Sequence, residues 1–79
     1  MSRLTDYFAR RAVPVQWHAG DRVQGQWQGV PFIGTVAVEH LVSEAQGSEV
    51  TVFLDLPIVL DNQTYRQVTV KPQDLKSRN

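Results

Sequence analysis

A chain of 79 residues with no cysteine, eight basic and eight acidic side chains and a formal net charge of zero makes one domain with a small core. Disulfides, thiolate metal sites and cysteine nucleophiles are excluded, and balanced charge gives no global attraction to a polyanion. No apolar run approaches the roughly 20 residues of a membrane-spanning helix, and the opening residues lack the order of a signal peptide, so the expectation is a cytoplasmic protein with no membrane partner.

Residues 2–12 (SRLTDYFARRA) predict a short helix, capped by Ser2, with Leu4, Tyr7 and Phe8 at helical spacing and Pro14 as its stop. Residues 13–18 alternate Val13, Val15 and Trp17 against polar neighbours, as an extended approach segment does. The stretch from Gly20 to Val38 reads as two strands about a bend at 28–31, where Gly29 can take a positive φ and Pro31 cannot donate to a ladder. A symmetric hairpin would then set Trp27 opposite Phe32. Residues 42–48 form the next turn, followed by an apolar strand over 49–56 that Pro57 bends or puts at an edge. After Ile58, Val59 and Leu60, the cluster Asp61, Asn62, Gln63 and Thr64 makes a turn, and residues 65–70 return as a strand. Residues 71–75 predict one helical turn that tucks in Leu75, and 76–79 a frayed tail. Four or five short antiparallel strands with Gly, Pro and Asn turns point to a small all-β barrel over residues 20–75, with a short N-terminal helix.

The charges are segregated. Arg3, Arg10, Arg11 and Arg22 precede the first hairpin and Arg66, Lys71, Lys76 and Arg78 follow the last, while Glu39, Glu44, Glu49, Asp55 and Asp61 hold the middle. If the first and last strands lie side by side, Arg10, Arg11, Arg22, Arg66, Lys71 and Lys76 form a basic pole for nucleic-acid phosphates. Against it, aromatics do not interleave with the bases. A second candidate surface is the apolar strand, where Val50, Val52, Ile58, Val59 and Leu60 offer more apolar surface than one alternating face can bury, as at a protein partner or self-association interface. His18 and His40, without cysteine or a carboxylate pattern, predict no metal site. No serine elbow, phosphate loop or carboxylate pair suggests catalysis, and no cofactor is expected.

The order Gly20-Asp21-Arg22-Val23, Trp27 before a glycine turn, Phe32, Gly34-Thr35-Val36, Val52-Phe53-Leu54-Asp55, then Val70 with Asp74-Leu75 close behind, resembles the Tudor and related SH3-like barrel families. That resemblance implies a non-enzymatic interaction module in which Trp27, Phe32 and Phe53, with the acid Asp55, line a mouth that attracts cationic groups. The chain is also similar to the type II dihydrofolate reductase barrels, but Val68-Thr69-Val70-Lys71 stands where their Val-Gln-Ile-Tyr segment carries activity. The expected function is therefore protein contact or self-association as a homodimer, with nucleic-acid binding as the alternative.

Overall fold

The computed structural model describes residues 15–78, and the helix expected over 2–12 lies outside them. Five strands follow in chain order, β1 (Arg22–Trp27), β2 (Val30–Ser43), β3 (Gly47–Leu60), β4 (Gln63–Val70) and β5 (Lys76–Ser77), with a 3-10 turn at Pro72–Asp74. They form one antiparallel sheet in the order β4-β3-β2-β1-β5. The all-β class and strand number match the expectation. The closed barrel does not appear, because β4 and β5 remain the two edges of an open sheet. Of the tail expected to fray over 76–79, residues 76–78 are held: Lys76 and Ser77 pair with Gln24 and Val23, and the Arg78 N–H donates to the Arg22 carbonyl at 2.9 Å, while Asn79 lies outside the described residues.

Turn chemistry sets the register. Gln28 and Gly29 have φ of 50° and 79°, and Asp61 and Asn62 have φ of 50° and 65°. Positive φ at both central positions is the two-residue hairpin turn whose twist matches that of its strands. The first bend is therefore tighter than the four residues expected over 28–31. Pro31 joins β2, Trp27 pairs with Val30, and Phe32 lies opposite Gly25 instead of Trp27.

Alternation along the strands sends Val23, Phe32, Val36, Val50, Val52, Ile58 and Val68 to one buried face, where Leu75 joins them from beyond the 3-10 turn. Burying each such side chain stabilises by about 1.5–3 kcal/mol. A Cβ at Gly25 would stand 3.1 Å from Phe32 Cζ and 3.2 Å from Leu75 Cδ2, so the missing side chain makes room for both. The approach segment is strapped down by Glu39, whose carboxylate accepts the Gln16 and Trp17 N–H groups at 3.1 and 2.9 Å. Trp17 also donates its indole N–H to the Pro72 carbonyl at 2.9 Å, which ties the chain's entry to its exit.

The distal parts of β2 and β3 continue past the other strands as an arm, and the Cα extents are 55 × 27 × 16 Å. The radius of gyration is 15.2 Å, against about 12 Å for a compact chain of this length.

Candidate functional site: a cleft where the sheet parts

The β2–β3 ladder runs one for one through Val36↔Val52, Thr35↔Phe53 and Gly34↔Leu54, and there it stops. Continued, it would set Ile33 opposite Asp55, Phe32 opposite Leu56 and Pro31 opposite Pro57. Val36 directs both backbone groups toward the entry to β1: its N–H donates to the Asp21 carbonyl at 2.9 Å and its carbonyl accepts from Gly20 at 2.8 Å. Alternation then turns the backbone groups of Thr35, Ile33 and Pro31 toward β3. Pro31 and Pro57 would thus meet as a hydrogen-bonded pair in which neither residue has an N–H. The zipper has no donor at that point. Residues 30–33 stay with β1, while Ile58, Val59 and Leu60 stay with Tyr65, Thr64 and Gln63 of β4.

Between these lips opens a cleft of about 1220 Å³, lined in part by Pro31, Ile33, Leu56, Pro57 and Val59. Leu56 lies in the stretch of β3 between Leu54 and Ile58 that pairs with neither β2 nor β4, where the β3–β4 register slips, and it is 80% exposed. Val59 is 65% exposed. At the hairpin tips the Trp27 and Tyr65 rings meet with centroids 4.8 Å apart and planes at 59°, joining β1 to β4 across the parting. The Tyr65 hydroxyl donates to Gln63 Oε1 at 2.6 Å.

Asp55 stands where β3 leaves the ladder and is held by Arg22. The two guanidinium nitrogens take its two carboxylate oxygens as a fork, one bond at 2.8 Å, and Nη1 also donates to Thr35 Oγ1 at 2.8 Å. These hydrogen bonds from Arg22 hold the Asp55 carboxyl below its ordinary value, and Asp55 in turn raises the Arg22 guanidinium. Both side chains are solvent-exposed, so the fork orients the strand more than it stabilises the fold.

No family model, curated protein or solved structure matches this chain.

The residues singled out in the sequence fall in different places. Trp27 is half-buried, Phe32 is buried in the core, and Phe53, 53% exposed, points with Thr35 and Gln67 to the opposite face. The three rings do not converge on one mouth, and Asp55 already has a cation. Among the basic residues, Arg10 and Arg11 lie outside the described residues. The first and last strands do lie side by side, which brings Arg22, Lys76 and Arg78 together, but Arg66 sits on β4 at the other edge of the sheet. Lys71 donates to the Gln46 carbonyl at 3.1 Å and so anchors the β2–β3 turn.

Of the apolar strand, Val50, Val52 and Ile58 belong to this chain's own core, Leu60 packs partly against it, and Val59 faces out. Among the described residues no cluster of three or more His, Cys, Asp or Glu is placed to hold a metal, and no helix is long and apolar enough to cross a membrane. Leu56 and the facing prolines were the features that sequence reasoning missed as a site. The signal was present in the numbering: two prolines equidistant from the Gly34–Leu54 pair on strands already expected to be neighbours.

Proposed function

We propose that this chain is a non-enzymatic interaction module, an opened relative of the SH3-like, Tudor-like barrel, that contacts a protein partner through the cleft between β2 and β3. The observation that carries the proposal is Leu56: a large aliphatic side chain, 80% exposed, left in solvent at the edge of a cleft. Such a side chain gains about 1.5–3 kcal/mol when something covers it. The cleft sets the apolar Pro31, Ile33, Leu56, Pro57 and Val59 beside polar Gln24, Gln26, Asp74 and Lys76, and Ile33 and Val59 have no ladder partner on the cleft side, a mixed lining that suits a peptide or protein segment.

The test is an amide-shift titration of isotope-labelled protein with short apolar peptides, at dilutions where the mass is that of one chain. Shifts confined to Ile33, Leu56 and Val59, with Thr69 and Arg66 unmoved, are expected. Uniform silence at the cleft would defeat the proposal. Nucleic-acid binding is the second reading, favoured by the adjacency of Arg22, Lys76 and Arg78. Salt-sensitive binding of short DNA or RNA that is lost in Lys76→Glu with Arg78→Glu would put it first.

A further inference from the structure

We propose that the occupant of the cleft is a second copy of this chain, in a two-fold dimer that seats Leu56 of each protomer in the cleft of the other. This rests on the cleft being a contact surface. The first support is exposure. Leu56 and Val59 stand 80% and 65% exposed beside the cleft, large aliphatic surface that a second copy would remove from water.

The second support is self-complementarity. A two-fold contact sets one patch against itself, so the patch must contain both knob and hole and charges of both signs. Leu56 and the cleft occupy the same segment of β3. The rim carries one acid, Asp74, and one base, Lys76, and neither side chain has a hydrogen bond or ion pair among the described residues. The third rim charge, Asp55, is neutralised by Arg22 within its own chain. Across a two-fold axis, Asp74 of one protomer is matched by Lys76 of the other.

The third support concerns how the contact ends. Pro31 and Pro57 remove a donor from each lip, so the cleft does not template an endless series of added strands. Contact proceeds through side chains and closes at two copies.

Light scattering across micromolar to millimolar protein tests this. The expected result is a mass rising to two chains, with Leu56→Asp weakening association about thirtyfold or more, as for a central anchor. Leu56 is exposed in the single chain, so the variant keeps its fold, which its amide spectrum checks. Asp74→Lys alone should also weaken the dimer, and Asp74→Lys with Lys76→Asp should restore it. A single-chain mass at every concentration, or a dimer indifferent to both Leu56→Asp and the charge swap, overturns the proposal. In the single-chain case, cleft shifts with apolar peptides would leave the interaction-module reading standing and remove only the second copy; their absence would remove both.

Discussion

Gly34 lies where β2 passes closest to β3. A Cβ there would run into the Phe53 carbonyl oxygen and come within 2.6 Å of Val52 Cγ1. Backbone cannot yield as a flexible side chain does, so Gly34→Ala is expected to destabilise by about 1–3 kcal/mol, the usual range for overpacking. Denaturant unfolding would measure it, and an unchanged midpoint would contradict the packing described. Gly25→Ala meets the Phe32 and Leu75 side chains and the Asp74 carbonyl oxygen at 3.1–3.2 Å, a longer range, and should cost less. At Asp55 the expectation concerns acid. A carboxyl depressed in the folded state contributes stability above its unfolded pKa and loses that contribution as pH falls through the lower folded value. Carbon NMR of the Asp55 carboxyl should titrate below the ordinary aspartate range, and Arg22→Ala should return it there, because the Arg22 hydrogen bonds are the main cause.

At the scale of the strand, the β2–β3 ladder ends at Gly34–Leu54, and two prolines stand three residues beyond it, where further pairing would have no donor from either side. Replacing both, as Pro31→Val with Pro57→Val, restores two donors opposite each other, and residues 31–33 and 55–57 are then free to zip. Hydrogen exchange should become slower at Ile33 and at the two new valines, and the unfolding midpoint should rise. Either single replacement, still facing a proline, should do much less. The same prolines explain what could be read from the sequence. Strand periodicity and the tucking-in of Leu75 were legible, and so was the position of the third turn, although the bend expected over 61–64 closes in two residues and Gln63 and Thr64 already belong to β4. Pro31 was legible only as a chain breaker. Its place beyond the last β2–β3 pair, with Pro57 at the matching position on β3, is a non-local fact that periodicity does not encode. Leu56 falls within the apolar strand expected over 49–56, but its exposure depends on pairing that β3 loses on both sides there. The first turn was misjudged because Pro31 was counted with the bend, which moved Trp27 opposite the wrong partner.

For the whole molecule, small size and an open sheet combine. Among the described residues eight core side chains are buried, five of them valine, and the chain has no cysteine to cross-link. A domain with so little core is marginal alone. Its thermal midpoint should rise with protein concentration if assembly completes it, since a partner that binds only the folded state stabilises by mass action. Calorimetry at several concentrations measures this, and a midpoint independent of concentration would show that the single chain is self-sufficient.

The Trp27–Tyr65 ring contact is the clasp of this arrangement. It joins the tips of two hairpins whose backbones are not bonded to each other, so the two rings must part if the cleft widens. The chain has only two tryptophans, and the other, Trp17, is tied to the Pro72 carbonyl. Replacing Trp17 with Phe would leave a single indole whose emission, excited through its tyrosine neighbour, acts as a built-in gauge of how far the jaws stand apart.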